Sequence, residues 1–123
     1  SLNQRIKMNK KTEISYALRN FIENAIKFSK TKIEIEINQN KQNTTIQIID
    51  DGPGFDQDII LNLGQPYLSS DKVKKNKIGM GLGVFISKSL LERCFAKVSF
   101  RNKKGSTGAV IKINWTNSQL ANL

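Results

Sequence analysis

The feature that most constrains this chain is a strict alternation, Lys32-Ile33-Glu34-Ile35-Glu36-Ile37, followed by a wholly polar run from Asn38 to Asn43. A period of two predicts a β-strand with one face buried, and the polar run reads as a hairpin loop into a second strand, Thr44 to Ile49. Near the other end, Ala96 to Arg101 and Ala109 to Trp115 flank a Lys103-Lys104-Gly105 turn and predict a second hairpin. Hairpin strands pair antiparallel. That argues against a doubly wound parallel sheet and for a two-layer α/β sandwich, with helices covering one face of the sheet.

The helices come from a different period. Ile14, Leu18, Phe21, Ile22 and Ala25 share one broad face of a helix expected from Thr12 to about Ser29. A short helix is expected near Asp56, with Ile59, Ile60 and Leu63 inward, ended by Gly64 and Pro66. From Gln65 to Lys77 the chain is polar and aperiodic and reads as a long mobile loop. Gly79-Met80-Gly81-Leu82-Gly83 then leads into a helix from Val84 to Phe95, with Val84, Ile86, Leu90 and Leu91 available to the core. Residues 1–11 read as an edge strand or a frayed end, and residues 116–123 as a disordered tail. At 123 residues, with no repeat or linker, the chain is one domain with its core at about residues 12–115.

Composition removes several chemistries. There is no histidine, which excludes His-based metal sites, Ser/His and Cys/His pairs and a histidine phosphoacceptor within this chain. The lone Cys94 excludes an intrachain disulfide and reads as a buried, inert thiol rather than a sensor. No apolar run approaches the ~20 residues of a membrane span. The net charge of +10 would suit a polyanion, yet Lys, Asn and Ile together supply 45 residues, a bias that A/T-rich codons produce. The basic residues are also scattered, so nucleic-acid binding is not expected as the main role.

Three clusters carry possible chemistry. Asn20, Asn24 and Lys27 fall within an arc of roughly 60° on the first helix, offset from its apolar face. A carboxamide oxygen suits Mg²⁺, and a lysine supplies a point charge for phosphate. Asp50-Asp51-Gly52-Pro53-Gly54 ends a hydrophobic strand, where a carboxylate can accept from an exocyclic amine and glycines let the backbone approach a ligand. Gly79-x-Gly81-x-Gly83 before a helix offers bare amides to an anion. It is neither a Walker A sequence nor a dinucleotide fingerprint. Taken singly, each cluster reads more simply as a polar stripe, an ordinary turn or a hinge.

Their order and spacing are more specific. Asn-x-x-x-Asn-Ala-x-Lys-Phe on a helix, Asp-x-Gly-x-Gly after a strand and Gly-x-Gly-Leu-Gly opening a helix resemble the ATP-binding domain of sensor histidine kinases. That domain belongs to the superfamily of gyrase, Hsp90, histidine kinase and MutL ATPases. Leu63-Gly64-Gln65-Pro66-Tyr67 and the run from Gly81 to Lys88, followed by Leu90-Leu91-Glu92-Arg93, look most like redox-responsive kinases of the Reg/Prr type. The resemblance spans Thr12 to Trp115 and implies a mixed, mostly antiparallel sheet.

The resemblance also implies roles. Asn24 would be the Mg²⁺ ligand, Asn20 and Lys27 would act at the phosphates, and Phe28 would stand beside the nucleotide. Asp50 would accept from the adenine amino group, with Gly52 and Gly54 keeping that pocket open. Gly79, Gly81, Leu82 and Gly83 would hinge a lid running from Gln65 to Ile78, with Ser69, Ser70 and Lys72 as weaker phosphate contacts. Thr107 would lie on the adenine side, although Gly105-Ser106-Thr107-Gly108 matches that motif loosely. ATP and Mg²⁺ would be the ligands. The phosphoacceptor histidine would sit on a separate dimerisation domain of a longer, homodimeric kinase with a response regulator downstream. This part would be cytoplasmic and its parent membrane-anchored.

Position 20 separates branches of the superfamily. Members that hydrolyse ATP, and serine kinases of the anti-sigma-factor type, usually carry a glutamate there to activate water. Asn20 cannot accept a proton at neutral pH. Glu23 lies about 100° around the helix from Asn24. The expectation is therefore phosphoryl transfer rather than hydrolysis, the alternatives being a serine kinase or ATPase of the superfamily, or a degenerate, non-catalytic binding module.

Overall fold

The computed structural model describes residues 9–63 and 80–123. Helix α1 (Lys10–Phe28) starts two residues earlier than its apolar pattern suggests, because Asn9 caps it. The Asn9 Oδ1 accepts from the Thr12 amide and the Thr12 hydroxyl, both at 2.9 Å, satisfying donors that a helix start leaves open. Lys10 and Lys11 are thus helical rather than part of an edge strand, and residues 1–8 lie outside the described residues.

Strands β1 (Ile33–Gln39) and β2 (Asn43–Asp50) form the first hairpin, with Ile35 opposite Ile48 and Ile37 opposite Ile46. The connection is shorter than the polar run. The Asn40 Oδ1 accepts from the amides of Gln42 at 2.8 Å and Asn43 at 2.7 Å, so the turn closes on Asn40 itself. Helix α2 (Gln57–Leu63) buries Ile59 and Leu63, as its spacing implies. Helix α3 (Met80–Arg93) begins within the glycine run rather than after it. It stops at Arg93 because Phe95 turns left-handed at φ 70°, while Ala96 N donates to Leu91 O and Phe95 N to Glu92 O. That is a Schellman closure with Phe where glycine is usual.

Strands β3 (Lys97–Asn102) and β4 (Ala109–Thr116) make the second hairpin. The sheet order is β1-β2-β4-β3, and every pairing among the described residues is antiparallel. The last element, α4 (Asn117–Ala121), replaces the expected disordered tail. Thr116 caps it by accepting from Gln119 N at 3.2 Å. Asn117 ties it to the first hairpin, donating from Nδ2 to Asn40 O at 2.7 Å and accepting from the Thr44 hydroxyl at 2.6 Å. Tertiary bonds and the single apolar contact of Leu120 with the core hold this segment, with no apolar periodicity to announce it.

The core lies between one face of the sheet and the helices. Ile48, Ile111, Ile113 and Trp115 meet Ala17, Phe21 and Ala25 of α1 and Val84 and Leu91 of α3. Phe100 stands edge-on to both Phe21 (centroids 6.0 Å) and Phe55 (5.7 Å), linking α1, β3 and the segment after β2. Two apolar expectations fail at the margins. Ile37 is 68% exposed and Ile35 46%, because β1 is an outer strand that α1, packed over β2, does not cover. On α3, Ile86 is also exposed, while Ser87 takes the buried position between Val84 and Leu91. No described helix is long and apolar enough to cross a membrane.

Candidate functional site

A cleft opens where the C-terminal half of α1 passes the ends of β2 and β4. Asn24, Ala25 and Phe28 form one wall, Ile48 and Asp50 the floor, and Gly54, Phe55, Val84 and Ala109 the rest. The lining is largely apolar, with an amide and a carboxylate set into it, the composition expected of a small-molecule site.

Asp50 is 8% exposed at the end of β2, on the helix-facing side of the sheet. Its Oδ1 accepts from Gly52 N at 2.8 Å and from Ala109 N at 3.3 Å. Those two amides fix the carboxylate and leave Oδ2 without a protein partner among the described residues. The backbone behind it is equally constrained. A Cβ on Gly52 would lie 2.2 Å from Phe28 O, and one on Gly108 2.2 Å from Asp50 O, so neither position has room for a side chain. Gly54, at φ 85°, takes a left-handed turn beside Asn102. The Asn102 amide grips Phe55 at both ends, accepting from Phe55 N at 2.7 Å and donating to Phe55 O at 2.9 Å.

Across the cleft, the Asn24 Nδ2 is buried and has no hydrogen-bond partner among the described residues. A buried N–H group without a partner costs free energy, on the order of 1–3 kcal/mol. No cluster of three or more His, Cys, Asp or Glu side chains forms a metal cage among the described residues. The donor set at Asn24 is a neutral carboxamide, which fits Mg²⁺ arriving with its own anionic oxygens and does not fit a free-standing protein site.

The expected residues divide into those the structure assembles and those it places apart. Asn24, Phe28, Asp50 and Gly54 line one cleft, with Gly52 behind them. Lys27 is exposed, its Nζ 5.4 Å from the centroid of the Phe28 ring that forms the wall. Asn20 borders a separate groove with Tyr16, Arg19 and Glu23, and its Nδ2 donates to Gly83 O at 3.2 Å and Ser87 Oγ at 3.0 Å. Gly81, Leu82 and Gly83 fall in the first turn of α3. Thr107 is exposed and not part of the described wall, whereas Ala109 is. Ser69, Ser70, Lys72 and Gly79, with the rest of Gln65 to Ile78, lie outside the described residues.

The sequence leaves Asp51 as a solvated neighbour of Asp50, not a ligand, and the structure gives it a structural role. Asp51 accepts from the amides of Lys30, at 2.8 Å, and Thr31, at 3.1 Å, and from the Thr31 hydroxyl, closing the turn between α1 and β1. These bonds, the Thr31 hydroxyl foremost, hold its carboxyl well below the ordinary range. Asn102 and Gly108 gave no signal beyond their turn. Cys94 is buried as expected, and its thiol donates to Glu13 Oε2 at 3.4 Å. Burial first, then the Glu13 contact, raises its pKa and lowers its reactivity.

Residues 9–117 match the family described as histidine kinase-, DNA gyrase B- and HSP90-like ATPases. The sensor histidine kinase RegB of Cereibacter sphaeroides is 31% identical over 122 residues, covering 86% of this chain and 26% of RegB. The sensor protein KdpD of Clostridium acetobutylicum is 36% identical over 104 residues, covering 82% of this chain and 11% of KdpD. Among solved structures, the mycobacterial sensor histidine kinase MprB superposes with a TM-score of 0.71 at 19% identity, covering 89% of this chain and 75% of that one. The catalytic domain of the histidine kinase ThkA, in a nucleotide-free form, gives 0.67 at 21% identity over 85% and 67%. The chain therefore has the two-layer fold of histidine-kinase catalytic domains and spans about a quarter or less of these two curated relatives.

Proposed function

Because this chain belongs to the histidine kinase-, DNA gyrase B- and HSP90-like ATPase family, we propose that it binds Mg²⁺-ATP in the cleft and donates the γ-phosphoryl group to a histidine on a separate dimerisation domain. The observation that carries this reading is the Asp50 carboxylate set into an apolar cleft, its Oδ1 held by two backbone amides and its Oδ2 without a protein partner among the described residues, with the Asn24 side-chain amide on the facing wall. The carboxylate oxygen accepts from the exocyclic amine of adenine, while Phe28 and Phe55 pack on the ring. The amide lies on the wall leading to the phosphates and offers its oxygen to the cation. Mg²⁺ there supplies charge neutralisation on the phosphate oxygens.

What the chain's own residues do is mostly positioning. Asp50 is held by two backbone amides before any ligand arrives, so no ordering is required of it on binding. Lys27 stands outside the wall as a mobile cation for the phosphate tail. Gly81, Leu82 and Gly83, on the first turn of α3, present backbone amides to the phosphates, with Gly79, Ser69, Ser70 and Lys72 as further contacts. The placement of Thr107 on the exposed side of the β3–β4 turn makes it the weakest of the proposed contacts. The parent is a homodimeric, membrane-anchored two-component kinase with this part in the cytoplasm, and a response regulator takes the phosphoryl group onward.

One contact favours transfer over hydrolysis. Asn20 donates from Nδ2 to Gly83 O, a bond that a glutamate in its ionised form cannot make, since it has no proton to give. The test is to mix the chain with γ-labelled ATP, Mg²⁺ and a purified histidine-bearing dimerisation domain of a related kinase. Acid-labile, base-stable label on that domain supports the reading. Steady release of inorganic phosphate by the chain alone, with no label transferred, would favour the hydrolase alternative.

A further inference from the structure

Ser87 is the polar residue of an otherwise apolar stripe. Val84, Ser87 and Leu91 lie at i, i+3 and i+7 on α3, exposed by 1%, 0% and 0%. A hydroxyl at such a position destabilises the core unless it is hydrogen-bonded, so its presence needs a partner. The partner is Asn20 of α1, whose Nδ2 donates to Ser87 Oγ at 3.0 Å and to Gly83 O at 3.2 Å. A backbone carbonyl only accepts, so the Asn20 atom facing Gly83 O must be the nitrogen. One side chain therefore bridges the first turn of α3 and a buried hydroxyl one turn later. Its own helix carries Asn24 four residues on, where the unpartnered amide lines the cleft.

We propose that Ser87 is a positioning residue for nucleotide binding. Acting through Asn20, it sets the distance of the α3 first turn from α1 and holds the amides of that turn where the phosphates bind. The proposal rests on the reading of the cleft as an ATP site. Ser87 touches no ligand, being fully buried, and at the base end of the cleft Asp50 and Phe55 are held by Gly52, Ala109 and Asn102 rather than by this bridge. The bridge thus separates triphosphate affinity from affinity for the base.

The experiment is a titration of the whole chain and of Ser87→Ala with two ligands, a non-hydrolysable Mg²⁺-ATP analogue and adenosine, with thermal unfolding recorded for each protein. One lost hydrogen bond corresponds to about a fivefold weakening. The expected result is that loss for the triphosphate, with adenosine affinity unchanged and Ser87→Cys, which keeps a weak acceptor, falling between. Equal affinities in wild type and Ser87→Ala, or equal losses for both ligands, would overturn the proposal. Should Ser87→Ala fail to fold, Ser87→Cys carries the comparison. A wild-type chain that bound neither ligand would overturn the ATP reading itself. The bridge would then be judged on the Asn20 side-chain amide resonance, which must shift in the variant or the bridge does not exist.

Discussion

The carbonyl oxygen of Phe28 stands 2.2 Å from where a Cβ on Gly52 would be. The last residue of α1 thus approaches the segment that follows Asp50 too closely for any side chain at position 52. Gly52→Ala must push them apart. A methyl forced against backbone in a buried site should cost about 1–3 kcal/mol of stability. It should also weaken nucleotide binding, which denaturant unfolding and titration of the same variant would measure.

The Asn102 amide makes the corresponding contact on the other wall, through both polar ends of Phe55. Removing it in Asn102→Ala leaves the Phe55 N–H and C=O short of partners and frees a ring that lines the cleft. The expected loss is about 1–3 kcal/mol, read by chemical denaturation. Phe55 should in addition lose its fixed NMR ring environment. An unchanged midpoint would show that the contact does not order the cleft.

Much of this architecture is legible in the sequence. The alternation at residues 33–37 and the strand expected at 44–49 are enough to find the first hairpin, though not its tight turn at Asn40, and the order of helices and hairpins suffices for a two-layer sandwich. Asp50 is readable because a hydrophobic strand ends in it, next to two glycines. What is not legible depends on distant partners. The α4 segment has no apolar period and is held by Asn40 and Thr44, more than seventy residues away. The role of Asp51 depends on how α1 turns into β1, and Ser87 breaks the apolar pattern because its partner is on another helix. Ile37 breaks it the other way: alternation reports which face a residue occupies, not whether a helix reaches that far.

Asp51 gives a pH dependence. Its folded carboxyl titrates below the unfolded value of about 3.9, so the stability it contributes is fully present above that pH and is lost as pH falls through the folded pKa. The stability of the wild-type chain should therefore fall faster below about pH 4 than that of Asp51→Asn, with the gap between them largest near neutrality. Unfolding midpoints from pH 2.5 to 7 measure this. Parallel curves would mean that the Thr31 and Lys30 contacts are not maintained in solution.

Cys94 gives a chemical prediction. Its sulfur is buried and paired with Glu13, and its pKa is raised. Little thiolate is therefore present at pH 8, and access requires opening of the α1–α3 contact. Alkylation should be at least roughly tenfold slower in the native chain than in denaturant. Glu13→Gln, which removes the negative charge beside the sulfur, should raise the native rate. Rapid native labelling would contradict the buried placement.

If Asp50 and Asn24 form the two polar ends of an ATP site, calorimetric titration with a non-hydrolysable ATP analogue will read both. The chain, Asp50→Asn and Asn24→Ala are each titrated with and without Mg²⁺. The wild type should bind saturably, and Mg²⁺ should strengthen that binding. Asp50→Asn, whose free position donates instead of accepting, should bind at least about tenfold more weakly whether or not Mg²⁺ is present. Asn24→Ala should lose chiefly the strengthening by Mg²⁺. A folded wild-type chain that does not bind, or an Asp50→Asn variant that binds as well as wild type, would contradict the account.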